Sequence, residues 1–338
     1  MSMYKDKVIL VTGGTGSIGS EIVRQVLKHD PKQVRIFSRD ETKQAEMQHD
    51  IKDSKLRFLI GDIRDKERVK FAMQNVDVVF HAAALKHVNL CEYNPFEAVK
   101  TNVLGTQNLI EEALKANVER FVNISTDKVS VATNTMGATK LLAERLTIAA
   151  NMYRGPRRTV FACVRFGNVI DSRGSALNLF KKQIEKGLPV TVTEPEMTRF
   201  VMSVAQAARL VLKAGESMEG GETFILKMPA LRLGDMVETL VESYAPKVGR
   251  DPSSIDINVI GIRPGEKIHE NLISPEEAGN VVDLGEMYVL LPPIAPLESS
   301  EHKYFKMPRG ISGEYSSKST RPLTKDEIRN FFTDHSIA

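Results

Sequence analysis

The sequence predicts an α/β protein: a doubly wound parallel sheet with a smaller C-terminal α/β lobe. Three observations lead there. Short β-branched runs alternate with longer amphipathic segments through the first half of the chain. Those runs are apolar throughout, as strands covered by helices on both faces must be. A glycine-rich turn joins the first run to the first amphipathic segment. Right-handed crossovers then wind the sheet in both directions.

The elements follow in order. Lys7–Thr12 (KVILVT) reads as the first buried strand. Ser17–Lys28 is a helix, with Ile18, Ile22, Val23, Val26 and Leu27 at helical spacing. Val34–Phe37, Leu56–Ile60 and Asp77–His81 are the next three strands. Phe96–Ala116 is a long helix, Arg120–Ser125 the fifth strand, Met136–Tyr153 a helix and Thr159–Arg165 the sixth strand. Beyond about Asn168 segments shorten and loops lengthen. Helices are expected near Ser175–Glu185, Val204–Lys213 and Leu233–Tyr244, and strands near Pro189–Thr193, Thr223–Leu226 and Asp256–Val259. Leu291–Pro296 reads as an extended connector. Thr324–Phe332 is a last short helix, with Thr324 as N-cap and Glu327 at the capping-box position. The expected division is a nucleotide domain over residues 1–168 and a substrate lobe over 169–338, with room for the chain to cross back.

Composition narrows the class. The chain has 338 residues, 42% hydrophobic and 26% charged, the profile of a soluble globular protein. No apolar run reaches the roughly 18–20 residues that span a bilayer, so membrane insertion is not expected. Met1–Lys7 is polar and lacks a secretory pattern, which points to the cytoplasm. Cys91 and Cys163 are too few for a disulfide framework or a Cys-rich zinc site, and no metal site is expected. A net charge of +3, from 46 basic and 43 acidic residues, with no basic tract, does not suggest nucleic acid.

The turn Thr12-Gly13-Gly14-Thr15-Gly16-Ser17-Ile18-Gly19 stands between a strand and a helix. Glycines there let the backbone approach a pyrophosphate, whose charge is met by helix N-terminal amides. The spacing Gly13, Gly16, Gly19 is Gly-x-x-Gly-x-x-Gly rather than the Gly-x-Gly-x-x-Gly of simple dehydrogenases. The second strand ends at Ser38-Arg39-Asp40, where an acid selects the free ribose hydroxyl of NAD and an arginine the 2′-phosphate of NADP. Ser38 stands in the acid's place, with Arg39 and Lys43 beside it, and this favours NADP over NAD. In the alternative, Asp40 takes the ribose and Arg39 and Lys43 are solvated surface charges.

Further motifs fall at the strand ends: Gly61-Asp62-Ile63, His81-Ala82-Ala83-Ala84 and Ser125-Thr126-Asp127. With the glycine spacing, they resemble the extended short-chain dehydrogenase/reductase family, a Rossmann-type fold. The likeness tightens with Ala84-Leu85-Lys86-His87-Val88, Ser125-Thr126-Asp127-Lys128, Met136-Gly137-Ala138-Thr139-Lys140, Arg165-Phe166-Gly167-Asn168-Val169, Ser172-Arg173-Gly174-Ser175, Met197-Thr198-Arg199-Phe200 and Arg263-Pro264-Gly265-Glu266-Lys267. That set resembles the bacterial UDP-N-acetylglucosamine 4,6-dehydratases of polysaccharide and flagellin-glycan synthesis, over roughly residues 5–275.

The resemblance implies an internal redox cycle. Hydride leaves sugar C4, water is eliminated across C5–C6, and the hydride returns to C6, with C5 retained or inverted. It also implies residue roles. Gly13, Thr15, Gly16, Ser17, Ile18 and Gly19 cradle the cofactor. Asp62 and Ile63 hold adenine, while Ala82, Ala83, Ala84 and Arg165 line the cofactor. Thr126 bonds the sugar, Asp127 is the acid for the C6 hydroxyl, and Lys128 is the base at C5. Lys128 meets that role only if burial or cationic neighbours push its amine down. Lys140 holds the nicotinamide ribose. Lys86, Asn168, Arg173, Arg199, Arg263 and Glu266 are matched to the nucleotide-sugar, arginine forks suiting its diphosphate.

One position departs from the wider family, which carries Tyr-x-x-x-Lys. Met136 stands where the tyrosine would be, and a thioether cannot take a proton. Some members of the dehydratase group share the methionine, and Asp127 is then the candidate acceptor of the C4 proton. A 4-epimerase or reductase needs the tyrosine and has no need of Asp127-Lys128. A non-catalytic NADP-binding protein has no need of Asp127, Lys128 or Lys140. A homo-oligomer, built on the helices Phe96–Ala116 and Met136–Tyr153, is also expected from the family.

Overall fold

The protein is described here from a computed structural model, which covers residues 2–294, 302–335 and 337. Its first half alternates strand and helix. β1 (Val8–Thr12) leads through the glycine turn to α1 (Ser17–Leu27), followed by β2 (Gln33–Ser38), α2 (Glu41–Asp50), β3 (Leu56–Ile60), α3 (Lys66–Met73) and β4 (Val78–His81). Short helices α4 (Val88–Tyr93) and α5 (Pro95–Ala98) run into a π-helical stretch, Val99–Leu104, and then α6 (Gly105–Lys115). β5 (Arg120–Ile124), α7 (Thr135–Tyr153) and β6 (Val160–Arg165) complete this half.

The strands lie in a nine-stranded sheet together with three from the second half: β10 (Thr223–Leu226), β14 (Val281–Asp283) and β15 (Met287–Leu290). The order is β14-β15-β10-β6-β5-β4-β1-β2-β3. The strands from β10 to β3 pair in parallel, and β15 and β14 close the sheet as an antiparallel hairpin. The order reverses at β1, between β2 and β4, which opens a crevice at the strand C-termini.

Every residue of β1 is buried. Its pleat sends Ile9 and Val11 into the cluster formed with α1, and Val8 and Leu10 into the cluster with Leu109, Ile110 and Ala113 of α6. That double burial is why the strand reads apolar throughout. α9 (Val204–Ser217) packs beside α1, burying Ala207, Ala208 and Val211.

A separate core builds the smaller lobe. It gathers α8 (Ala176–Glu185), β8 (Val190–Val192), α10 (Leu233–Tyr244) and α11 (Lys325–Asp334) around Phe180, Ile184, Leu240 and Phe332. Three small sheets complete the second half: β7 (Asn168–Val169), β9 (Thr198–Met202) and β11 (Ala230–Arg232); β8 with β12 (Ile257–Val259); and β13 (Asn271–Ile273) with β16 (Tyr315–Ser316), whose Leu272, Ile273 and Tyr315 pack into the core of the large sheet instead. Thr324 and Glu327 form the expected capping box on α11.

The differences from the sequence reading have local causes. α2 and α3 are not among the helices the sequence predicts: α2 buries only Gln44 and Met47 and so carries little apolar periodicity, and α3 is only eight residues long; caps by Asp40 and Asp65 start the two helices. The long helix expected over Phe96–Ala116 is interrupted by the π-helical stretch, a device frequent at functional sites. Of the expected connector, Leu291–Ile294 has no regular structure, and the remainder lies outside the described residues.

β6 ends on Arg165, whose side chain is fully buried. Its guanidinium donates to Glu144 on α7 at 2.6 Å, to Glu277 at 2.8 Å and to the Leu272 carbonyl at 2.7 Å. Arg165 therefore ties α7 to the β13 segment and does not offer its fork to a cofactor, because both ends are taken by carboxylates, Glu144 buried and Glu277 partly buried. Removing one partner of such a cluster strands the others. Arg165→Met is expected to destabilise the fold by about 3–5 kcal/mol in urea unfolding; an unchanged midpoint would show that the cluster contributes nothing net.

Candidate active site

The glycine turn is held by close backbone packing. Gly13 has a φ of +65°, and a Cβ there would lie 2.7 Å from the Ala83 nitrogen. A Cβ on Gly19 would come within 2.3 Å of the Gly13 carbonyl oxygen. Gly16 starts α1 with no side-chain cap, so the first amides of the helix have no side chain bonded to them. This is the arrangement that accepts a phosphate.

Beside it lies a cavity of about 320 Å³. The expected Gly13, Thr15, Gly16, Ser38, Arg39, Asp40, Lys43, Asp62, Ile63, Ala82, Ala83 and Ala84 all line it, joined by Phe37, Gly61 and Thr101. Ser38 is engaged by Thr15 and Gln44 through its hydroxyl. Asp40 caps α2 at the Lys43 amide and pairs with the Lys43 ammonium. Arg39 is more than half exposed, 3.5 Å from Asp62. Burial alone would raise the Asp62 carboxyl, but Arg64 and Arg39 hold it below its ordinary value. The free helix amides, the missing Cβ atoms and a rim of paired charges with Arg39 more than half exposed fit a dinucleotide. Ser17 stands at the edge of this cleft, its hydroxyl accepting from the Arg173 amide at 2.9 Å. Ile18 instead packs partly buried against the core.

The second part of the site sits where β5 ends. Asp127 is fully buried. Its Oδ1 accepts from Thr126 Oγ1 at 2.8 Å and Lys128 Nζ at 2.9 Å, while its amide donates to the Phe166 carbonyl. Its other oxygen is buried with no hydrogen-bond partner among the described residues. The loop is seated on α7: a Cβ on Gly137 would lie 2.5 Å from the Lys128 carbonyl oxygen. Asn134 caps α7 at the Gly137 amide and donates to the Gly265 carbonyl of the smaller lobe. Ser125 donates to Glu144, which joins this loop to the Arg165 cluster.

Two lysines answer to different surroundings. Burial pushes Lys140 down to about 8, against weaker opposing effects of Cys163 and Glu144; its ammonium donates to the Ile124 carbonyl. Burial works in the same direction on Lys128, but Asp127 and Glu270 outweigh it and hold that amine above its ordinary value. The condition set for Lys128 as a base is therefore not met by these surroundings alone. Met136 is buried among Cys91 and Ala98.

The smaller lobe reaches the cleft through two loops. Lys86 donates to the Arg173 carbonyl at 2.6 Å, and Arg173 and Arg263 are exposed. Asn168 is exposed at the start of β7. Glu266 closes a turn on the Arg263 amide. Arg199 does not present its fork as expected: it donates to the carbonyls of Thr198, Lys267 and Ile268 and is mostly buried, so it clamps the backbone.

Sequence reasoning missed several residues. Asn102, in the π-helical stretch, bonds both backbone groups of Leu85 and reaches Thr139. His81 lies between Thr12 and Thr106, and burial pushes it down to about 3, so it is a neutral linker. Glu144 is buried in the middle of a helix, a pattern that signals a partnered charge once burial is known. Glu270 lies 3.7 Å from Lys128.

The family described as polysaccharide biosynthesis protein matches residues 9–292. A protein of Methanocaldococcus jannaschii, named as an uncharacterized membrane protein, is 53% identical over 98% of this chain and 97% of its own. A UDP-glucose 4-epimerase of Rickettsia canadensis is 40% identical over 97% and 95%. The crystal structure of Pen from Bacillus thuringiensis has a TM-score of 0.91 and 43% identity, covering 98% of each chain. Among the described residues no helix is long and apolar enough to cross a membrane.

Gly19→Ala should disrupt the turn, because the new methyl meets a backbone oxygen that cannot move alone. Titration calorimetry with NADP is expected to show binding weakened by about tenfold or more, near 1.4 kcal/mol. Unchanged affinity would mean that the turn does not carry the phosphate.

Proposed function

The chain belongs to the polysaccharide biosynthesis protein family, within the extended short-chain dehydrogenase/reductase fold of nucleotide-sugar dehydratases and epimerases, and from that premise we propose that it is a 4,6-dehydratase of UDP-N-acetylglucosamine. The observation that supports this most is the pair of buried Asp127 and partly buried Lys128, with one Asp127 oxygen unpartnered among the described residues, together with a buried methionine in the tyrosine position. A reaction that moves protons at three neighbouring positions needs such a pair.

A bound nicotinamide dinucleotide supplies the acceptor and donor for the hydride exchanged with C4 and C6. Asp127 takes the proton of the C4 hydroxyl on its unpartnered oxygen. The C4 ketone then makes the C5 proton acidic. Lys128 removes that proton, and Asp127 gives its own to the C6 hydroxyl, which leaves as water. Lys128 finally returns a proton to C5. Thr126 bonds the sugar and orients Asp127. Lys140 holds the nicotinamide ribose. Arg173 and Arg263, with Lys86, Asn168 and Glu266, receive the nucleotide-sugar, whose diphosphate suits arginine forks.

The cofactor in this reading is NADP. Asp40 is already occupied by the α2 cap and Lys43, which leaves no acid at the strand end to select NAD, whereas Arg39 is exposed there. The reading includes a homo-oligomer: Leu142, Met152 and Tyr153 on α7 and Leu104 beside α6 are each about half exposed. A 4-epimerase is the second reading, favoured by the name of the 40% identical Rickettsia relative.

Proton NMR of a reaction with UDP-N-acetylglucosamine alone should show a new C6 methyl group, with deuterium at C5 in heavy water and no reductant consumed. Asp127→Asn should lose about 10²–10⁴ of that rate, the usual worth of a general acid–base group, while the near-isosteric Met136→Leu keeps turnover. A product that differs only at C4 would replace this reading with the epimerase. In calorimetry NADP should bind more tightly than NAD, and Arg39→Ala should narrow the gap; equal affinities, unmoved by Arg39→Ala, would count against NADP.

A further inference from the structure

Glu270 lies outside every motif assigned a role above, yet it faces the centre of the site. It is buried just before β13, and its backbone is fixed by paired hydrogen bonds with Ser317 beyond β16. Its Oε1 lies 3.7 Å from Lys128 Nζ and 4.0 Å from Arg199 Nε. Its Oε2 is buried without a hydrogen-bond partner among the described residues. Arg199, a second cationic neighbour, has its other donors bonded to the carbonyls of Thr198, Lys267 and Ile268 and to the Met197 sulfur.

This placement bears on a difficulty in the chemistry. Lys128 must be neutral to take the C5 proton, yet two carboxylates stabilise its ammonium. With a sugar over the site, its proton has no clear route to water. Asp127, nearer at 2.9 Å, is neutral once it holds the C4 proton, so Glu270, at 3.7 Å and with a spare oxygen, is the nearest carboxylate left to receive it.

We propose that Glu270 is a positioning residue that takes the Lys128 proton before C5 deprotonation and gives it back afterwards. The inference rests on the dehydratase reading. The protons balance. Asp127 is neutral after receiving the C4 proton. Lys128 passes its proton to Glu270, and the free amine then removes the C5 proton. Asp127 protonates the departing C6 hydroxyl. Lys128 returns a proton to C5 after C6 has been reduced, and Glu270 restores the ammonium. In the resting site burial and, less strongly, the Asp127 charge raise the Glu270 carboxyl, against the opposing pull of Lys128, Arg199 and Lys267, the net direction being upward; burial, the larger cause, persists when Asp127 is neutral. A raised carboxyl brings the two proton affinities closer together.

The test isolates this step from the redox chemistry. The UDP-4-keto-6-deoxy-N-acetylhexosamine isolated from the wild-type reaction is returned to the protein in heavy water, and loss of its C5 proton is followed by NMR against pH. In wild type, exchange should level off once Glu270 ionises. In Glu270→Gln, exchange near neutral pH should fall about tenfold or more. It should then climb with pH, because Lys128 must lose its proton to solvent. Glu270→Asp keeps a carboxylate and should keep the wild-type profile at a lower rate, and it serves if the glutamine variant does not fold. An unchanged Glu270→Gln profile, a uniform loss at every pH, or a Glu270→Asp rate that climbs with pH would each overturn the proposal. A wild-type protein that forms no keto sugar takes the dehydratase reading and this inference together, whereas one that forms it with an unaltered Glu270→Gln profile removes only the inference.

Discussion

A fully buried aspartate at the end of β5 is the constraint on which the rest of this site depends. An ionised carboxylate out of contact with water is costly unless it is paired and hydrogen-bonded. Asp127 meets that requirement on one oxygen only, through Thr126 and Lys128. The other has no hydrogen-bond partner among the described residues. The surrounding structure holds the loop in this state. The Phe166 carbonyl takes the Asp127 amide, and the missing Cβ of Gly137 lets the Lys128 carbonyl rest on α7.

Rigidity reaches this loop from both lobes. Ser125 is bonded to Glu144, Glu144 to Arg165, and Arg165 to Glu277 and Leu272 in the segment that carries Glu270. Asn134 and Lys267 make a second bridge, donating to Gly265 and Val131 across the lobes. Asp127 and Glu270 therefore share one network, although 143 positions separate them in the chain. Networks of this kind keep reacting groups within the narrow tolerances that proton transfer requires.

The nucleotide cleft follows a different logic, in which backbone geometry matters more than side chains. The first amides of α1 face the turn, and the positions that matter most are those lacking a Cβ. Side chains act at the rim, where Arg39, Lys43, Asp40 and Asp62 pair among themselves. Lys140 and Gly137 both belong to the first turns of α7, so one helix start carries the buried ammonium and the seat of the Asp127 loop.

The sequence by itself determined the parallel sheet, since strands buried on both faces must read as unbroken apolar runs. It determined the tight glycine turn, since only glycines allow backbones to approach so closely. It also singled out Asp127, Lys128, Lys140 and Met136, because short motifs keep their spacing when the fold is kept. Contacts distant in the chain were decided only by the tertiary structure. By resemblance Arg165 reads in sequence as a cofactor-lining residue and Arg199 as a ligand of the nucleotide-sugar. Burial against Glu144 and Glu277, or against backbone carbonyls, turns both into clamps. The charge on Lys128 was likewise undecided until Glu270 arrived from the other lobe, because a pKa reports neighbours in space, and helical or strand periodicity carries no record of which element folds back onto which.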